Sequence, residues 1–173
     1  ASISASTATL TSNTIMGNTA NSSFSQGGGF VITTSWTTAT LTSNTITGNT
    51  ANSGGGFSID YAVTATLANN SITGNTAGST GGGAIIDYIV TATLINNSIT
   101  GNTANFGGGV VAIDANHPLY GSTATLINNS ITGNTASMGG GFDLSPWAYD
   151  NETTNTAWLY NNLFWDNFAT DNQ

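Results

Sequence analysis

The chain alternates apolar and hydroxyl-bearing residues over short stretches, and the same stretches recur along its length. Thr-Ala-Thr-Leu occurs at Thr7–Leu10, Thr38–Leu41, Thr64–Leu67, Thr91–Leu94 and Thr123–Leu126, with a divergent copy, Thr156-Ala157-Trp158-Leu159. A period of two sends Ala and Leu to one side of an extended strand and both threonines to the other. Each of the first five copies runs into Ile-x-Gly-Asn, beginning at Ile15, Ile46, Ile72, Ile99 and Ile131, and then into three glycines beginning at Gly27, Gly54, Gly81, Gly107 and Gly139. Ser-Ile-Thr repeats the alternation, with Ile buried between two hydroxyls. Phe57-Ser58-Ile59 and Val110–Ile113 read as a third short strand after the glycines. Thr, Ile and Val favour strands, Asn and Gly supply turns with positive φ, and no segment has helical periodicity.

Copies start 31, 26, 27, 32 and 33 residues apart, so each unit is too small to close its own core. Stacked as coils about 4.8 Å apart, six units bury one column of Leu and Ile and form a rod roughly 25–30 Å long. The expectation is an all-β fold, a single right-handed parallel β-helix of about six coils with three short strands per coil. One domain spans 1–173, with coils starting near 7, 38, 64, 91, 123 and 156; a segment of a longer solenoid is an alternative. In this stack Asn69, Asn96 and Asn128 are expected to form an internal amide ladder. Of the Asn-x-Ser/Thr sequons, that would leave only Asn21 and Asn151 accessible to a glycan.

Gly82-Gly83-Ala84-Ile85 and Phe164-Trp165-Asp166-Asn167 fit the paired motifs GGA(I/L/V) and FxxN. In these residues the chain resembles the passenger repeats of polymorphic outer-membrane proteins, within the pectate-lyase-like right-handed β-helices. The resemblance implies the fold and, by analogy, an adhesin-like or surface-layer role.

Composition then removes partners. With no Lys or Arg, 8 acidic residues and a formal charge of −8, the chain has no cations with which to displace counterions from nucleic acid or to bind anionic lipid. No apolar run reaches the roughly 18 residues of a membrane span. Missing trypsin sites point to the outside of a cell, and the absence of Cys removes disulfides and thiolate metal sites.

The same absence of Lys and Arg argues against an enzyme. Lyases resembling pectate lyase use a basic residue to remove a proton beside a uronate. Hydrolysis of a glycoside needs two carboxylates about 5–9.5 Å apart. Asp60 and Asp87, four residues after adjacent glycine triplets, meet that spacing but lack companions that would fix acid and base roles, and Asp114 is one residue out of register. They are read as solvated surface carboxylates, with Ca²⁺ the only cofactor considered.

Three binding surfaces remain. Thr7/Thr9, Thr38/Thr40, Thr64/Thr66, Thr91/Thr93 and Thr123/Thr125 form two outward files that resemble the ice-binding face of β-solenoid antifreeze proteins. Tyr61, Tyr88, Tyr120 and Trp147 are candidates for stacking on sugar rings of surface glycans, whereas His117 reads as a loop residue. At the ends, Ile3 belongs to an uncapped first coil. Trp158, Phe164 and Trp165 belong to an aromatic last coil that either plugs the core or stacks on another copy. The expected function is an extracellular structural or adhesive element that stacks head to tail into a filament or surface layer. Ice binding and carbohydrate binding are the alternatives.

Overall fold

The computed structural model describes residues 2–3, 7–33, 38–61, 64–87, 91–113, 123–143 and 156–171. Among these residues every named element is a β-strand and every strand pairing is parallel. Three sheets of six strands each wind through about five turns. The first sheet is the Thr-Ala-Thr-Leu column, Thr7–Thr11, Thr38–Thr42, Thr64–Ala68, Thr91–Ile95, Thr123–Ile127 and Thr156–Tyr160. The second is Thr14–Met16, Thr45–Thr47, Ser71–Thr73, Ser98–Thr100, Ser130–Thr132 and Leu163–Trp165. The third follows the glycines, from Ser2–Ile3 through Phe30–Thr33, Phe57–Asp60, Ala84–Asp87 and Val110–Ile113 to Phe142–Asp143.

A fourth column was not expected. Thr50–Ser53 pairs with Thr76–Thr80, and Thr135–Ala136 pairs with Phe168–Ala169. Single bridges at Thr19 and Thr103 continue the column through the remaining coils. Its sequence signal is the Thr-Ala that follows each Ile-x-Gly-Asn, a two-residue alternation with Ala buried at Ala51, Ala77, Ala104 and Ala136.

Register is strict. Ala39, Ala65, Ala92 and Ala124 stack on one another, as do Leu41, Leu67, Leu94 and Leu126. Ile46, Ile72, Ile99 and Ile131 form the matching file of the second sheet. With Phe30, Phe57, Ile32, Ile59 and Ile86 these side chains make one continuous core. The Phe30 and Phe57 rings lie parallel, 4° apart in plane with centroids 5.2 Å apart. Each fully buried Leu, Ile or Phe contributes on the order of 1.5–3 kcal/mol of hydrophobic stabilisation.

The amide ladder exists, but one residue further along than expected, and it is doubled. One file is Asn13, Asn44, Asn70, Asn97, Asn129 and Asn162; the other is Asn18, Asn49, Asn75, Asn102, Asn134 and Asn167. Asn69, Asn96 and Asn128 instead occupy the left-handed region, with φ of 57°, 54° and 54°. That conformation reverses the alternation at the corner: the left-handed residue is exposed and the next asparagine turns inward. The sequons at Asn69, Asn96 and Asn128 are therefore exposed, not internal.

Each interior ladder amide is saturated. Asn75 donates its backbone N–H and one Nδ2–H to Oδ1 of Asn102 at 2.9 and 3.0 Å. Nδ2 also donates to the Ile46 carbonyl at 3.0 Å, and Asn75 Oδ1 accepts both corresponding donors of Asn49. One side chain thus ties three coils together.

The glycine triplets have a different cause. Gly54 has φ 61°, and a Cβ on Gly55 would lie 2.5 Å from the carbonyl oxygens of both Gly82 and Thr76. Stacked backbones approach closely there, and no side chain fits between them.

Replacing Asn75 by Ala strands donors on Asn49 and removes the Nδ2 donor from the Ile46 carbonyl and from Asn102 Oδ1, which keeps the backbone N–H of residue 75. The expected cost is about 3 kcal/mol, against under about 1 kcal/mol for Asn18→Ala at the exposed first coil, read from urea unfolding. Gly55→Ala is expected to destabilise by at least as much as Asn75→Ala, with loss of strand signal in circular dichroism as the cruder readout.

Candidate functional surfaces

The threonine files are where the alternation placed them. Thr7, Thr38, Thr64, Thr91 and Thr123 stack in register along one file, and Thr9, Thr40, Thr66, Thr93 and Thr125 along the other. The first file is exposed from Thr7 to Thr91, and the second is half-buried beyond Thr9. Ser71/Thr73, Ser98/Thr100 and Ser130/Thr132 form a second hydroxyl surface. There the Thr73 hydroxyl donates to that of Thr47 at 3.1 Å, and the Thr100 and Thr132 hydroxyls lie 3.3 Å apart. The outward positions of both sheets are all uncharged. The third column of the first sheet runs Thr11, Thr42, Ala68, Ile95, Ile127 and breaks the uniformity of that face.

Asp60 and Asp87 are adjacent in register, as the spacing implied, with Thr33 on the other side of Asp60. They are not solvated. Alternation points them away from the core, yet both are buried, Asp60 completely, as are Ser58 and Ile85 on the same face. The outer face of the third sheet is thus interior at these coils. Ser58 donates its hydroxyl to Asp60 Oδ1 at 2.7 Å, while Oδ2 is buried without a hydrogen-bond partner. Burial raises the Asp60 carboxyl from its ordinary 3.8 to about 6, outweighing the hydrogen bond from Ser58, which acts in the opposite direction. Below about pH 6 a proton neutralises this carboxyl and removes the cost of burying its charge. A side chain so buried offers no oxygen to a polysaccharide laid on the surface.

For calcium, the described side chains with oxygens at this place are Asp60, Asp87, Ser58 and Thr33, and Ca²⁺ takes six to eight oxygen ligands. No group of three or more His, Cys, Asp or Glu assembles among the described residues.

Tyr61 lies just beyond Asp60, half-exposed, with a left-handed φ of 64°. Tyr88, Tyr120 and Trp147 lie outside the described residues, as do Asp114, His117 and Asn151. The last coil, marked in the sequence by its aromatics, also carries apolar side chains on its outer faces. In the last coil Trp158, Tyr160, Leu163 and Trp165 occupy outward positions that are Thr125, Ile127, Ser130 and Thr132 one coil earlier. All four are more than half exposed.

Among the described residues the two end faces are open. At one, Ile3, Leu10 and Ile15 are half-buried and line a hollow with Phe30 and Asn18. At the other, Leu159, Phe164 and Phe142 line a hollow with Asn167 and Gly141. Leu159 and Phe164 point along the core files but stay exposed, so the aromatic last coil does not plug the end.

Parallel strands in register, inward Asn files and open ends define a parallel β-solenoid. The family model described as "right handed beta helix region" matches residues 2–170. The chain belongs to that family. No curated protein and no solved structure matches it.

The buried carboxyl gives a pH dependence with a defined sign. Because the folded value lies above the ordinary one, the folded state is favoured below pH 4 and loses stability as pH rises through about 6. The expected loss from this group is about 3 kcal/mol at most. Melting curves from pH 4 to 8 should show Asp60→Asn gaining on the wild type as pH rises; parallel curves would mean that Asp60 stays ionised in the fold.

Proposed function

We propose that this protein is a non-enzymatic structural and adhesive element that works outside the cell or on its surface. It acts as a rigid rod that contacts surfaces through repeated weak interactions and stacks head to tail on further copies. The observation that carries the reading is the unbroken register of coils whose first two sheets present no outward charge, with open apolar faces at both ends among the described residues. Rigidity follows from the ladders, and repetition converts weak contacts along the rod into avidity. The likeness of the Gly-Gly-Ala-Ile and Phe-Trp-Asp-Asn motifs to outer-membrane-protein passenger repeats supports a surface role. A chain without Lys or Arg, and with its in-register aspartates buried, supports a role without catalysis.

Ice binding is the second reading, favoured by the flat threonine files with rows about 4.8 Å apart. It expects thermal hysteresis that disappears in Thr66→Tyr and Thr93→Tyr; a wild type without hysteresis removes it. Surface glycans are a third class of partner, with Tyr61 as the described aromatic candidate, and a glycan array tests them. Calcium at Asp60 and Asp87 is the weakest proposal. A melting temperature unchanged by chelator removes it.

Electron microscopy of the concentrated protein is the direct test of the structural reading. Filaments with an axial repeat of about 25–30 Å are expected, one rod length per copy. Separate short particles at every concentration would contradict head-to-tail stacking.

A further inference from the structure

We infer that the head-to-tail junction has one polarity and one register, in which the next copy continues the helix as if it were another coil. The inference rests on the stacking proposed above and adds which face meets which.

Hydrogen bonding sets the polarity. Along both ladders, each asparagine gives its backbone N–H and one Nδ2–H to Oδ1 of the asparagine in the following coil. Its second Nδ2–H goes back to a carbonyl of the preceding coil, as from Asn44 to Leu10 and from Asn49 to Ile15. The last coil therefore ends on donors, the backbone N–H and Nδ2–H of Asn162 and Asn167, and on the carbonyls of Leu159 and Phe164. The first coil ends on acceptors, Oδ1 of Asn13 and Asn18. Asn18 Nδ2 turns to the Met16 carbonyl of its own coil at 3.2 Å, where its ladder-mates reach the coil before. Placing the first coil of one copy on the last coil of another unites donors with acceptors in both ladders. Along the ladders, two first coils would set Oδ1 against Oδ1, and two last coils N–H against N–H.

Side chains point to the same register independently. One outward file of the second sheet reads Met16, Thr47, Thr73, Thr100, Thr132, Trp165. Its only two apolar members stand at opposite ends, Met16 63% exposed and Trp165 70% exposed. Continuing the helix across a junction puts Met16 of one copy directly beside Trp165 of the other. A thioether against an indole edge is a favourable contact, and both side chains leave water. In the core, Leu10 and Ile15 of one copy then cover Leu159 and Phe164 of the other, extending the files of both sheets.

The occupant of this face is a second copy of the 173-residue chain. In a longer polypeptide, a further coil of the same repeat would make the same bonds.

Two variants test the junction, Met16→Glu and Trp165→Glu, each changing a side chain already exposed in the single chain. Sedimentation should show the wild type assembling, each variant alone near the 17.5 kDa monomer, and an equimolar mixture at twice that mass. The mixture pairs the intact first coil of Trp165→Glu with the intact last coil of Met16→Glu, and this one product cannot grow at either end. Its dimer also shows that both variants fold. A dimer formed by Trp165→Glu alone, through two first-coil faces, would overturn the polarity. Variants that assemble like the wild type, or a mixture that stays monomeric while the wild type assembles, would overturn the register. A wild type monomeric at every concentration would instead overturn the stacking reading itself.

Discussion

The structure depends on one interaction repeated twice per coil, an inward asparagine bonded to the coil before it and the coil after it. A corner in a solenoid brings the chain inward, and its backbone groups cannot all pair with the neighbouring coils through strand geometry alone. The Asn amide supplies the missing donors and acceptor, and its Oδ1 takes both the backbone N–H and the Nδ2–H of the coil before. Because every interior amide is satisfied by identical residues, coils of 26 and of 33 residues stack in the same register. In the two longest coils the additional residues fall between the third sheet and the next strand of the first, whereas in the first coil most fall between Asn18 and Gly27. Buried and saturated, the ladders exchange a desolvation penalty for a chain of polarised bonds.

The left-handed corners make this possible. Before each first-ladder Asn stands Ser12, Ser43, Asn69, Asn96, Asn128 or Asn161, and before each second-ladder Asn stands Gly or, in the last coil, Asp166. These residues break the two-residue alternation by one step, so outward Thr is followed by inward Asn without a longer loop. The outcome is two outer faces of in-register hydroxyl files over a continuous apolar core, on which the proposed surface role rests.

Much of this was legible because the sequence repeats. Thr-Ala-Thr-Leu and Ser-Ile-Thr each have a single amphipathic reading, and both strands stand where the alternation put them. The ladder was misplaced by one residue because Asn69-Asn70 offers two candidates and strand parity fails at a left-handed residue. The resolving signal was present: the first coils read Ser12-Asn13 and Ser43-Asn44, so the second position alone is always Asn. The burial of Asp60 was less legible, since alternation marks it as outward and the covering of that face has no local signature. A hint lay in Ile85-Ile86, two neighbouring apolar residues that cannot both face the core. The short Thr-Ala column was overlooked because two residues fall below the length at which alternation stands out. The end faces were read from aromatic content, whereas their meaning lies in donor and acceptor polarity, which only coordinates display.

Hydrogen exchange resolved at the ladder asparagines tests the account most directly. In dilute solution the backbone amides of Asn70, Asn75, Asn97 and Asn102 should exchange as slowly as those of the core strands, and Asn162 and Asn167 much faster. Raising the concentration should slow Asn162 and Asn167 toward the interior values as a second copy supplies their acceptors. Rapid exchange at the interior asparagines would contradict the ladder as the interaction that holds the coils together.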